Sequence, residues 1–215
     1  MEFFGYFRSS AAYRCRIAFN LKGIDYDFKS IHLRRGGGEQ KSASYRALNP
    51  QALVPTLKVG DLKLGQSLAI IEWLDETYPE PYLLPRDIDL RARVRAFSQI
   101  IACDIHPLQN LRVLQHIEAE YGVDQSGKNE WCARWIGDGL TACEALIAEQ
   151  PTNAKFCFGD EPGLADICLV PQVFSAHRFQ VDVSKMPNLI RIYEACQSLP
   201  AFLDAAPNQQ PDAEP

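Results

Sequence analysis

The chain has 215 residues, 47% hydrophobic and 23% charged, with a formal net charge of −5. That supplies apolar side chains for one large core or two small ones, and the acidic balance excludes a sequence-wide attraction to nucleic acid or anionic membrane. The seven cysteines are odd in number and form no C-x-x-C pair. No run reaches the ~18 apolar residues of a membrane span, and MEFFGYFRSS lacks a signal-peptide pattern, so a cytoplasmic protein with free thiols is expected.

Glu2–Phe7 is an aromatic-rich run of strand length. Ser9-Ser10 breaks it and can cap a helix that carries Ala11, Ala12, Cys15, Ala18, Phe19 and Leu21 and stops at Gly23. Asp25–Leu33 alternates around Tyr26, Phe28 and Ile31 and reads as a strand. Gly36-Gly37-Gly38 is a loop without the context of a phosphate-binding motif. Ser44–Leu48 reads as a short helical turn ending at Asn49-Pro50. Val54-Pro55 then opens a strand, Thr56–Val59, which turns at Gly60-Asp61 and returns over Leu62–Leu64. Gly65-Gln66-Ser67 breaks the pattern, with Ser67 the expected N-cap of a helix bearing Leu68, Ile71 and Leu74 on one face.

The order is β-α-β-α-β-β-α, a βαβ unit followed by a hairpin and a helix, which is the thioredoxin-like pattern. The prolines at 79, 81 and 85 cannot continue a helix. The expected fold class is α+β: a thioredoxin-like domain over residues 1–80, a linker over 81–86, and an all-helical domain over 87–215. In the last, Leu90–Tyr121 is one long helix or a broken pair, followed by helices at Asn129–Ala148, Leu164–Phe174, Leu189–Cys196 and Pro200–Ala205. The tail PNQQPDAEP is expected to be loosely ordered.

Several residues carry candidate chemistry. Val54-Pro55 is a candidate cis peptide, which would turn the Val54 N–H and C=O outward to pair with an extended peptide. Ser67 and its helix N-terminus offer an anion site, the alternative being an ordinary turn and cap. Ser9 and Ser10, at a strand-to-helix junction, could stabilise a thiolate through their hydroxyls and the first helical N–H groups, although a cap alone explains a Ser-Ser pair equally. His106 and Asn110 are one helical turn apart and can face one cleft, with Pro107 kinking the helix between them; a helix break that satisfies itself is the other reading. The four histidines have no metal-ligand spacing. Cys15 reads as a core cysteine, Asp166 as a structural acid reaching back to the Gly163 N–H, and Arg34, Arg35 and Arg46 as solvated.

The segments YFRSSAAYRCRIAFNLKGIDYDF, ALNPQALVPTL, QSLAIIEWLDETYP, DIHPLQNLRVL and GLADICLVPQVFSAHRFQVD occur in this order over nearly the whole chain. Together they resemble the zeta class of glutathione transferases, whose signature here is Ser-Ser-Cys-x-x-Arg-x-Arg. Ala11 departs from it, standing where the class has cysteine.

The resemblance implies a cytoplasmic homodimer that uses glutathione as cofactor, without nucleic acid, membrane or metal. Ser10, Val54, Pro55, Gln66, Ser67, His106 and Asn110 are the implied glutathione contacts, with the proline cis and the Gln-Ser pair on the γ-glutamyl carboxylate. Ser9, Ser10 and Arg8 are the implied catalytic residues. Arg8, His106, Arg112 and Arg178 are the implied substrate contacts, since arginine suits carboxylates. The implied activity is cis–trans isomerisation of a maleyl diacid, maleylacetoacetate to fumarylacetoacetate, in the breakdown of tyrosine and other aromatic compounds. The serines hold the glutathione thiolate, which adds to the double bond and leaves after rotation. Isomerisation of maleylpyruvate, general glutathione conjugation and a non-enzymatic binding module are the rival readings.

Overall fold

A computed structural model of the chain describes residues 1–150 and 154–214. Phe3 and Gly5 alternate into the core and make β1 (Glu2–Gly5). The expected extension to Phe7 does not form, because the chain turns at Tyr6, whose carbonyl accepts the Ser9 N–H at 3.0 Å. Ser9 caps α1 (Ser10–Lys22), its Oγ accepting the Ala12 N–H at 3.2 Å. Gly23 closes the helix at φ 62°, a left-handed position that glycine adopts without a Cβ penalty.

The expected strand over Asp25–Leu33 shortens to β2 (Asp27–Ser30), which pairs parallel with β1. The chain then runs through α2 (Ala43–Leu48), β3 (Thr56–Val59), β4 (Leu62–Gly65) and α3 (Ser67–Thr77). The sheet order is β2-β1-β3-β4. β3 is antiparallel to both β1 and β4, so β4 runs parallel to β1. The helices that follow β1 and β4 therefore begin at the same end of the sheet, where β3 also starts. In register, Phe4 lies opposite Thr56, and Thr56 opposite Gly65.

Beneath this thioredoxin-like sheet the Phe3 ring meets Phe19 edge-on at 5.2 Å and Tyr26 at 5.3 Å, contacts worth about 0.5–1.5 kcal/mol each beyond burial. Leu57, Ile71 and Leu74 complete the buried layer. At the far end of α1, Lys22 Nζ donates to Asp75 Oδ1, Tyr78 O and Pro81 O, all at 2.6 Å. That knot satisfies a buried ammonium and fixes the proline-rich exit from α3.

The remaining elements are helical: α4 (Ile88–Gln99), a π-helical stretch (Ile100–Ile105), a 3-10 turn (His106–Gln109), α5 (Leu111–Tyr121), α6 (Gln125–Ala148), α7 (Leu164–Arg178), α8 (Pro187–Gln197) and α9 (Pro200–Leu203). Of the two expectations for Leu90–Tyr121, the broken pair is found. The π stretch packs tightly on α6: a Cβ on Gly139 would collide with the Ile105 side chain, so glycine sets how closely they approach. α6 starts earlier than expected, because Asp124 Oδ1 accepts the Gly127 N–H at 2.8 Å. α7 continues past Phe174 to Arg178 despite Pro171.

Two compact units result, Met1–Leu83 with Ser198–Pro215, and Leu84–Gln197. The sequence reading puts 198–215 in the helical domain, but α1 draws this segment to the first unit. Arg16 Nε donates to Ala205 O at 2.9 Å, Asn20 Nδ2 to Ala201 O at 2.9 Å, and Tyr13 Oη to Phe202 O at 3.4 Å. The tail is also not loose: it forms a 3-10 turn at Pro207–Gln209, and Asp212 and Glu214 bond back to the sheet side.

Candidate functional site

The end of the sheet at which α1 and α3 begin gathers the residues singled out in the first unit. Ser9 and Ser10 are half-buried and start α1, with Arg8 exposed just before them. The Ser9 hydroxyl oxygen accepts from the Ala12 N–H, which leaves its proton available to an anion. Ala11 is buried beside it and offers no thiol.

The start of β3 supplies the second piece. The Val54–Pro55 peptide is cis, and Val54 lies beyond the last ladder pair, Phe4 with Thr56, so its N–H and C=O have no strand partner in that ladder. A polar network absent from the sequence reading holds this segment. Tyr45 Oη donates to Leu53 O at 2.8 Å and lies 2.9 Å from Thr56 Oγ1. Asn49 Nδ2 donates to Leu53 O at 2.9 Å and to Thr56 Oγ1 at 3.0 Å. The Asn49-Pro50 turn signal marks the position, and the Asn49 Oδ1 acceptance of the Gln51 N–H at 3.1 Å is the Asx-turn behind it. The burial of Tyr45 and its reach to Thr56 had no local signal.

The third piece corrects an expectation. Ser67 is the first residue of α3 rather than its cap, and Gln66 occupies the cap position at φ 66°, ψ 115°. Such a backbone is sparsely populated for a residue with a side chain and costs roughly 1–3 kcal/mol, a kind of strain that gathers at binding sites. Gln66 makes no side-chain capping bond, so the first-turn N–H groups of α3 are not spent on it. Its Nε2 donates instead to Gln51 Oε1 at 2.9 Å, and the side chain is exposed.

Two buried α1 side chains reach Ser67. Arg14 NH1 donates to Ser67 Oγ at 3.3 Å, and Cys15 Sγ lies 3.8 Å from Ser67 O. Arg14 therefore brings a guanidinium beneath the start of α3, where it and the helix dipole both favour an anion. Cys15 is fully buried, as a core cysteine. Burial also pushes Cys132 up to about 11 and Cys143 up to about 12, which makes neither a thiolate nucleophile.

In the helical unit, His106 opens the 3-10 turn and Asn110 ends it. They do not share one helical face, because Asn110 is extended (φ −67°, ψ 142°) and caps α5 with its Oδ1 on the Arg112 N–H at 3.2 Å. The break is held by its neighbours: Trp131 Nε1 donates to Leu108 O at 2.8 Å, and Gln109 Nε2 to Gln172 Oε1 at 2.9 Å. Arg112 is exposed in the first turn of α5. Arg178 is exposed in the last turn of α7, its guanidinium 5.1 Å from the Phe179 ring centre. Asp166 is structural: Oδ2 accepts the Gly163 N–H and Oδ1 the Cys157 N–H, each at 2.9 Å. Gly163 has no side chain to accept the Asp166 N–H, so only the Asp166 half of the reciprocal cap is made.

The arrangement in the first unit fits a short acidic peptide carrying a thiol. It combines backbone donor and acceptor at Val54, an anion site at Gln66-Ser67 over Arg14, and serine hydroxyls at a second helix N-terminus. Among the described residues no three His, Cys, Asp or Glu side chains gather as a metal site, and no helix is long and apolar enough to cross a membrane.

Comparison with known proteins gives a consistent picture. Residues 3–82 match the glutathione S-transferase N-terminal domain, and residues 123–195 the glutathione S-transferase C-terminal domain. A probable maleylacetoacetate isomerase of Vibrio cholerae is 49% identical over 210 residues, 98% of this chain and 97% of the relative. The holo structure of a maleylpyruvate isomerase, described as a bacterial zeta-class glutathione S-transferase, superposes with a TM-score of 0.96 at 48% identity over 100% of both chains. A maleylacetoacetate isomerase from Methylobacterium extorquens, solved with bound malonate and glutathione, gives a TM-score of 0.95 at 36% identity over 100% of both chains.

Proposed function

Because this chain belongs to the zeta class of the glutathione S-transferase family, we propose that it is a glutathione-dependent isomerase that converts maleylacetoacetate to fumarylacetoacetate. The single observation that carries this reading is the meeting of two helix N-termini and the Val54–Pro55 segment at one end of the sheet.

When bound, glutathione supplies a nucleophilic thiolate and is regenerated in each cycle. The chain's part is to hold and activate it. Val54 offers its N–H and C=O to the peptide backbone. Gln66 and Ser67, with the α3 N-terminus, take the γ-glutamyl carboxylate. Ser9 and Ser10 donate to the sulfur, and the α1 dipole lowers its pKa. His106 and Asn110 are read as further glutathione contacts from the helical unit.

The substrate brings two carboxylates and gathers more negative charge as its double bond opens. Fixed cations stabilise that charge without reorganisation. Arg8 is assigned to the developing charge beside the serines, and His106, Arg112 and Arg178 to the carboxylates. Ala11 removes any thiol step at that position, so the reaction needs no protein cysteine.

Maleylpyruvate is kept as a second substrate reading, not favoured over maleylacetoacetate, since a relative with a TM-score of 0.96 is a maleylpyruvate isomerase. We read the protein further as a cytoplasmic homodimer acting in aromatic-compound breakdown; its seven free cysteines fit a reducing compartment. Turnover of maleylacetone and of maleylpyruvate, each with and without glutathione, tests the proposal. Glutathione-dependent turnover with maleylacetone preferred is expected. Conjugation of neutral electrophiles without turnover of either acid would overturn it.

A further inference from the structure

One peptide unit links a tail carboxylate to the first of the two serines. The carbonyl of the Tyr6–Phe7 peptide accepts the Ser9 N–H at 3.0 Å. The N–H of the same peptide donates to Asp212 Oδ2 at 3.1 Å. A carboxylate on the N–H side polarises the peptide and strengthens the bond its carbonyl makes, so the two bonds reinforce each other. The next peptide is held as well: the Phe7 carbonyl accepts from Arg16 NH2 at 3.1 Å, while Arg16 Nε grips Ala205 O in the same tail.

The tail is anchored on both sides of this contact. Asp212 Oδ2 also accepts from Ser30 Oγ at 2.8 Å. Glu214 takes Arg35 NH2 at 2.8 Å and faces His32 Nε2 at 3.2 Å. His32 Nδ1 accepts the N–H groups of Arg34 and Arg35, so its proton sits on Nε2 and points at Glu214. The other Asp212 oxygen, Oδ1, is buried and has no hydrogen-bond partner among the described residues. A carboxylate with one buried oxygen left unbonded is a poor device for stability alone.

We infer that Asp212 is a positioning residue for the reaction, acting through the Tyr6–Phe7 peptide to fix Ser9 where it meets the glutathione sulfur. This rests on the reading of Ser9 and Ser10 given above. The segment over 200–214 thus braces the turn that carries the serines.

Asp212→Ala and Asp212→Asn test it, the second keeping an acceptor for the Phe7 N–H. Three quantities are measured: hydrogen–deuterium exchange over residues 4–12, the absorbance titration of bound glutathione, and kcat and KM for maleylacetone. Asp212→Ala should speed exchange, raise the pKa of bound glutathione and lower kcat by roughly ten- to a hundredfold with KM little changed. Asp212→Asn should recover most of each. Faster exchange with wild-type titration and kcat would overturn the inference, leaving Asp212 as a tail anchor only; unchanged exchange would overturn it too. Ser9→Ala and Ser10→Ala in the otherwise natural chain separate the two ideas. If neither moves the titration, the serine reading falls and the inference falls with it; if Ser9→Ala moves it and Asp212→Ala does not, the serine reading stands and only the inference is overturned.

Discussion

Arg14 and Ser67 are joined across the first and third helices: the buried guanidinium donates to the serine hydroxyl at 3.3 Å. Arg14 is therefore not a surface cation but a support beneath Ser67, the residue proposed for the γ-glutamyl carboxylate. It orients Ser67 and adds positive charge where the α3 dipole already favours an anion. The strained backbone of Gln66 presents its own side chain to solvent at the same point, next to the buried Ser67.

Removing either polar partner should weaken glutathione binding. Losing a hydrogen bond to a charged group costs roughly 1.5–3 kcal/mol, or about tenfold and more in affinity. Ser67→Ala and Gln66→Ala are each expected to raise the Kd by that factor in titration calorimetry. Unchanged affinity in both would remove the clamp from the mechanism.

The Ser9 oxygen caps α1 on the Ala12 N–H, and its hydroxyl proton is the donor proposed for the sulfur. Ser9→Ala should cost ~1 kcal/mol of stability through the lost cap, and it should also raise the pKa of bound glutathione. The absorbance titration of the thiolate and the thermal midpoint read the two effects separately. A lower midpoint with an unmoved titration would assign the sulfur to Ser10.

Ala11 offers a gain-of-residue test. Ala11→Cys restores the class signature, yet the isomerisation as read here has no step for a protein thiol. kcat/KM for maleylacetone should stay within about threefold, less than 1 kcal/mol in the barrier. A larger rise would return a role to cysteine at this position.

The cationic side chains should divide by kinetic effect. A residue that only binds substrate raises KM when removed, whereas one that meets the developing charge lowers kcat. Arg178→Ala is expected mainly to raise KM. Arg8→Ala should lower kcat/KM by at least about tenfold, or ~1.4 kcal/mol. Glutathione affinity should change little in Arg178→Ala, and wild-type kinetics in both variants would relocate the diacid pocket.

Asp166 links stability to pH. Burial raises its pKa above the ordinary carboxylate value, with the bonds from Gly163 and Cys157 acting the other way. The folded chain then keeps a proton that the unfolded chain has already lost. This contribution to stability therefore falls as pH rises from about 4, the unfolded aspartate value, through the raised folded pKa. Asp166→Asn abolishes that titration, but its amide cannot accept from both N–H groups, so ~1–3 kcal/mol should be lost. Denaturant melts across this range should show a less stable variant with a flatter pH dependence; equal stability at all pH values would refute the account.

The sequence by itself determined the element order, because strands of period two, the Ser9 and Gly23 stops and the Gly60-Asp61 turn are local signals. It also marked Ser9, Val54-Pro55 and Gln66-Ser67, and its motifs carried the family. Tertiary structure decided what such signals cannot reach. Where each strand stops depended on pairing register, so β1 ended at Gly5 and β2 at Ser30. The side chains of Arg14 and Cys15 look ordinary on a helical wheel and gain their meaning only because α1 packs on α3. The shared face expected of His106 and Asn110 was lost when the chain left its helix at Asn110. The tail, polar and rich in proline, read as loose; its bonds from Asp212 and Glu214 span some 180 residues and more, and contacts of that separation leave no periodic trace in the chain.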